Sequence, residues 1–326
     1  SVSAEISTAI SRQTDSLESV IYSTQQMSHG FAQLIKTVEL TILNTELTST
    51  ALSRLNDISG SIQGSQKTIS SKDISSEISD ALVLRCCEPY GLSSEDPMTS
   101  SDLVDSSTFY NIHGTLINID TKGKVSPGIA KFWHVHEDQL TWEFQIRKGI
   151  RFHNGDVLTA EDVKFSYERL LSKALNANSA WILMDIEGAE EYHKGQAGSV
   201  SGIKVINPHT LTIRLKTPYT GFLLNLGQPA SSVISVRSFE KDRRITGCGP
   251  YRLTKNVSDE MMLEAFDDCY SGAPYIPKVK ISLSDENRVQ RVINGDLDFV
   301  RIEDGQTYQA AKKANLEIQY MDMLSV

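Results

Sequence analysis

The chain has 326 residues, 40% of them apolar, and a formal net charge of −9 at pH 7. That length allows two domains, and an acidic balance without any Lys/Arg cluster argues against nucleic acid as a partner. No run of eighteen apolar residues occurs, so no segment reads as a membrane span, and no signal peptide is visible, which leaves export open.

The first eighty residues differ from the rest. All nine prolines lie at position 89 or later and all three tryptophans beyond 130. Apolar residues recur every seven positions in two registers, Ile10, Leu17, Phe31, Val38 and Leu52 in one, Ile6, Val20, Met27, Leu34, Leu55 and Ile62 in the other. This heptad predicts a long helix over about 1–70, with Gly60 and Gly64 near its end, and a polar linker over 71–80. Thr and Gln at several seam positions weaken the packing, so the helix needs a partner, and coiled-coil self-association is expected. The segment from Ser23 to Gly30 resembles the helical signalling region of methyl-accepting chemotaxis proteins. The Glu–Ala–Ala–Arg–Ala–Gly–Glu contact tip of that family is absent, so kinase control is not implied.

From Ala81 the pattern is globular. Ala81–Leu84 opens a buried strand, and Cys86 and Cys87 point to its opposite faces, which makes them poor partners for each other. The four cysteines match no zinc spacing and are expected as small buried residues. A loop runs from Glu88 to Pro97. His134 and His136 place both rings on one face of a strand, but two ligands alone do not fill a metal site, and no metal or cofactor is assigned. His113 and His153 receive no role. Trp142, Phe144 and Ile146 alternate with Thr141, Glu143 and Gln145, the period of a half-buried strand. Asn154–Gly155–Asp156 is a turn signal, and Thr159 an N-cap with Glu161 and Asp162 in the first helical turn. That helix carries Val163, Tyr167, Leu170 and Leu171 on one face. A strand is expected from Asn207 to Tyr219. The glycines of Gly247–Cys248–Gly249–Pro250 allow a tight turn and close backbone approach. A helix over 306–315 and a strand over 316–321 complete the chain. No Gly–x–Ser–x–Gly, His–Glu–x–x–His or phosphate-cradling loop occurs, so no enzyme is expected.

The order of these pieces resembles the family 5 extracellular solute-binding proteins, the receptors of ABC importers for oligopeptides, dipeptides, nickel and haem. That family writes aromatic–x–Phe–x–Leu–Arg–Lys–Gly–x–x–Phe–x–x–Gly and then Leu–Thr–Ala–Glu–Asp–Val–x–x–Ser. Trp142, Phe144, Ile146, Arg147, Lys148, Gly149, Phe152, Gly155 and the run Leu158 to Val163 with Ser166 fit it. Asp96–Pro97, Gly123–Ala130, Trp133, the Lys–Thr–Pro–Tyr ending at Tyr219, Gly247–Tyr251 and Gly295–Asp298 continue it, so that it covers roughly 81–326, and Gly295–Phe299 resembles the family's strand near the end of lobe one.

The resemblance implies an α/β, periplasmic-binding-protein-like lobe with a mixed sheet and an inserted subdomain at about 110–240, preceded by the long N-terminal helix. It implies recognition of a peptide or other small solute, an ABC permease as partner if the chain is exported, and a place outside the cytoplasm. The ligand-contacting positions it carries over are Thr99, Ser100, Ser101, Asp102 and Leu103 in one loop and Gly247, Cys248 and Gly249 in a turn. The family usually has Thr where Cys248 stands, which removes a hydroxyl there. The family's crossing into lobe two would follow near Val326, so the chain is expected to hold lobe one, either as a piece of a longer protein or as a one-lobe relative, with weak ligand binding by itself. A second reading stays open: a ligand-sensing module, cytoplasmic or not, fused to a coiled-coil output helix.

Overall fold

The computed structural model describes residues 82–100, 103–120, 123–284, 286–302 and 304–318, all within a unit spanning 74–326. The expected helix over 1–70, the linker over 71–80, and Ser101 and Asp102 of the candidate loop lie outside the described residues.

In chain order, β1 is Val83–Glu88, α1 Leu103–Ile112, β2 Ile117–Ile119, β3 Val125–Pro127, β4 Ala130–Val135 and β5 Thr141–Ile146. Helix α2 is Ala160–Leu171 and α3 Ala189–His193, followed by β6 Ile203–Asn207, β7 Thr210–Arg214, α4 Phe222–Leu226 and α5 Val236–Asp242. Strands β8 Tyr251–Val257, β9 Glu260–Ala265 and β10 Lys278–Leu283 come next, then α6 Arg288–Ile293 and α7 Gly305–Lys313.

The strands make two four-stranded sheets and a small β2–β3 pair. One sheet has the order β1-β10-β9-β8, with β1 parallel to β10 and the other pairs antiparallel. Its first strand precedes all of 93–249 and its last three follow it, so the intervening chain is an excursion from this mixed sheet. The other sheet, β4-β5-β7-β6, is antiparallel throughout and lies inside that excursion.

Each sheet has its own core. Cys86, Ile112, Met261, Leu263 and Ile281 pack on the mixed sheet. The larger core collects Trp142, Phe144, Ile146, Tyr167, Leu211, Ile213 and Phe222, among others. Strand β5 is half-buried as its alternation predicts: Trp142, Phe144 and Ile146 face the core while Thr141, Glu143 and Gln145 face outward.

The chain then turns at Gly155 (φ 88°), where Phe152 N–H donates to the Asp156 carbonyl at 2.8 Å. Helix α2 starts after Thr159, whose backbone N–H donates to Asp162 Oδ2 at 2.8 Å. The helix buries Val163, Tyr167, Leu170 and Leu171 as one stripe. Asp162 also accepts from Val236 N–H at 3.0 Å, tying α2 to the start of α5. Burial raises its carboxyl pKa despite these hydrogen bonds, so the tie holds the charge against a desolvation cost.

Three expected elements differ. The strand expected over 207–219 is two pieces: Asn207 closes β6, its side chain accepts from His209 N–H at 2.9 Å, and β7 begins at Thr210. That Asx turn reverses the chain before the strand. Residues 295–299 form no strand. Asp298 instead donates its N–H to the Arg85 carbonyl at 2.8 Å and accepts Arg85 N–H on its side chain at 2.6 Å, which satisfies the edge of β1 without a ladder. Residues 316–318 are irregular; the rest of the strand expected over 316–321 lies outside the described residues.

Candidate functional site

The candidate loop is built on a buried carboxylate. Asp105, in the first turn of α1, is wholly buried. It accepts from the Ser93 N–H at 3.2 Å and from the hydroxyls of Ser93 and Ser100. A buried carboxyl needs such partners, and here they pin both ends of the 93–100 segment to the helix. Within it, Thr99 donates its hydroxyl to Ser94 Oγ at 2.9 Å and to the Asp96 carbonyl at 3.0 Å. Thr99 and Ser100 therefore sit in a braced loop immediately before α1, and Leu103 is the first residue of that helix. The sequence reading missed Asp105; its only signal was an acid in a helix first turn.

The turn at 247–249 meets the other end of α1. Gly249 N–H donates to the Ile112 carbonyl at 2.9 Å. A Cβ on Gly247 would stand 2.2 Å from the Ile112 carbonyl oxygen, and one on Gly249 would stand 2.6 Å from the Ile112 carbonyl carbon. Close approach, not an unusual φ, is what these glycines provide. Gly247, Cys248 and Gly249 are all buried, so the turn is a brace behind the helix end and offers no solvent-facing side chain. Cys248 fills the space beside Gly114, where an added Cβ would lie 2.8 Å from its sulfur.

His113 and His153, given no role from sequence, are the turn's partners. His153 N–H donates to the Gly247 carbonyl at 2.9 Å, and its Nε2 lies 3.0 Å from the Gly249 carbonyl, which requires the Nε2–H tautomer. Burial pushes the His153 pKa down to about 4; the bond to Gly249 works against this and nearby Arg252 adds to it. Burial, with His153 close by, pushes His113 down to about 3. Both rings are neutral in the folded protein near neutral pH.

The thiols are not poised for nucleophilic work. All four cysteines are free and buried. Burial, with Glu88 nearby, pushes Cys86 up to about 12, and burial raises Cys248 as well.

A separate cluster lies on the outer face of the antiparallel sheet. His134 is directly opposite Glu143 in the β4–β5 register. His136 Nε2 is 3.5 Å from Glu143 Oε2. Sequence spacing paired the two histidines; only the register adds the carboxylate. These residues line a shallow recess of about 610 Å³ with Val135, Glu137 and Asp138.

The fold has known counterparts. It aligns with a Haemophilus influenzae OppA structure, solved in complex with RPPGFSPFR, at a TM-score of 0.67, with 22% identity over 72% of this chain and 49% of that one. An unliganded MppA murein tripeptide binding protein aligns at 0.64, with 24% identity over 71% and 47% of the two chains. The family model described as "Bacterial extracellular solute-binding proteins, family 5 Middle" matches residues 124–325. The chain belongs to family 5 of the bacterial extracellular solute-binding proteins.

Two curated relatives show how family members compare in length. The dipeptide-binding protein DppE of Bacillus subtilis is 27% identical over 71% of this chain and 43% of its own. SapA of Escherichia coli, a probable ABC transporter periplasmic-binding protein, is 25% identical over 76% of this chain and 49% of its own. The chain thus spans about half the length of the family 5 relatives it matches. Among the described residues, no helix is long and apolar enough to cross a membrane.

Proposed function

We propose that this chain is the first lobe of a peptide-recognising receptor that serves an ABC importer outside the cytoplasm. The family 5 match over 124–325 carries this reading. Likeness to DppE, a dipeptide-binding protein, and to OppA, solved with a bound nonapeptide, favours a peptide as the solute.

The proposed contact surface is the loop of Thr99 to Leu103, with the turn of Gly247 to Gly249 fixing the far end of α1 behind it. The serine-rich loop supplies hydroxyls and backbone groups, the partners an extended peptide main chain needs. Burial keeps the thiols of Cys86 and Cys248 protonated at neutral pH, so neither supplies a thiolate nucleophile.

Thermal melting of the full chain in millimolar peptides of two to nine residues tests this. A ligand that binds only the folded state raises Tm by mass action even when weak. An upward shift with peptides is expected. A shift with a non-peptide solute and none with any peptide would overturn the peptide reading.

A further inference from the structure

We infer that His134, His136 and Glu143 form a surface site for one divalent transition-metal ion of the zinc class. Their ligand atoms all lie within 4.8 Å of one another. Tetrahedral zinc with nitrogen and oxygen ligands near 2.0–2.1 Å holds its donors about 3.3 Å apart. Small rotations of these solvent-accessible side chains close that gap, because the backbone already sets the arrangement. His134 and His136 are two apart and share a face, and Glu143 stands opposite His134 on the neighbouring strand.

Three features hold the donors close together. The imidazoles of His134 and His136 are stacked, with centroids 5.1 Å apart and planes 12° from parallel. Phe132 extends the stack, its ring centroid 5.9 Å from that of His134. Glu143 is held from behind: Gln145 Nε2 donates to Oε1 at 3.0 Å, while Thr210 Oγ1 donates to Gln145 Oε1 at 3.3 Å. The remaining oxygen, Oε2, points at His136. Such outer hydrogen bonds to a ligating carboxylate are the usual companions of a metal site. His136 Nε2 is shielded from water and makes no hydrogen bond; it faces only Glu143 Oε2, 3.5 Å away, and a metal ion between the two would satisfy both.

Two imidazoles and a carboxylate select zinc, nickel, cobalt or copper over calcium or magnesium, which prefer all-oxygen shells. Three protein ligands leave a fourth position open to water or to a donor from a partner. None of these residues belongs to the proposed peptide surface, so the inference stands without that reading.

Calorimetric titration of the full chain with zinc chloride is the test. One saturable equivalent is expected, weakened at least ~10-fold in His134→Ala, His136→Ala and Glu143→Gln. Gln145→Ala is expected to weaken it about 10-fold by releasing Glu143. Glu137→Gln, in the same recess but outside the donor set, should leave the affinity unchanged. Metal-free circular dichroism melts that superimpose for all variants show that each folds. Absence of saturable binding in the natural sequence, or equal affinity in the His134→Ala, His136→Ala double variant, would overturn the assignment.

Discussion

Arg169, near the end of α2, clamps Asp96 of the Asp–Pro loop: its guanidinium donates to both carboxylate oxygens, with Nη1 3.1 Å from Oδ1. Both side chains are largely buried, at 11% and 14% exposure. The guanidinium carbon also lies 4.7 Å from the Phe239 ring centroid. One residue therefore joins the helix of the Thr–Ala–Glu–Asp motif, the loop before α1, and α5.

Breaking this clamp on one side should be costly, because it strands a buried charge. Arg169→Met or Asp96→Asn is expected to lower stability by about 3–5 kcal/mol, read from urea unfolding midpoints. Arg169→Lys should recover only part of this, since an ammonium cannot replace a two-pronged donor.

Asp105 controls the loop more than the core. Asp105→Ala removes the carboxylate oxygen that accepts from both the Ser93 and Ser100 hydroxyls and should cost about 1–3 kcal/mol. Amide hydrogen exchange should accelerate selectively across 93–100 while β5 and α2 keep their protection.

The glycines divide by mechanism. An alanine at Gly247 or Gly249 meets the end of α1 at 2.2 or 2.6 Å, so either substitution should cost at least about 1–3 kcal/mol through overpacking. Gly155, at φ 88° with open space around it, should lose about 1–2 kcal/mol through backbone strain alone. A Gly155→Asn variant should recover much of that, and Gly247→Asn none of it; thermal melts distinguish the two.

Acid should loosen the junction behind α1. His113 and His153 have folded pKa values pushed down to about 3 and about 4, below the ordinary ~6.5 of the unfolded chain. The unfolded state binds more protons throughout that interval, so stability is complete above about pH 6.5 and falls as pH drops toward 4 and then 3. Urea midpoints measured from pH 7.5 to 4 should decline, and His113→Phe should flatten the decline.

What was legible in the sequence was local. The alternation of Trp142, Phe144 and Ile146 predicts β5, and Thr159 with the Val163–Tyr167–Leu170 stripe predicts α2, because period and capping act within a few residues. Contacts made across the chain were not legible. Asp298 looked like part of a strand but caps the Arg85 N–H across 213 positions. Glu143 joined His134 only through strand register. His113 and His153 seemed scattered because their common partner, the buried turn around Cys248, lies about 95 positions from His153 and about 135 from His113 in sequence. Burial decided the roles of Asp105 and Cys248, and burial follows from packing that no local pattern reports.

The central claim, that the braced loop ahead of α1 belongs to a peptide-recognising surface, is tested most directly by backbone amide NMR of the 15N-labelled chain during titration with a short peptide. Saturable shifts concentrated in 93–105, and abolished by Asp105→Ala, are the predicted result. Shifts confined to other elements, or none at millimolar peptide, would contradict it.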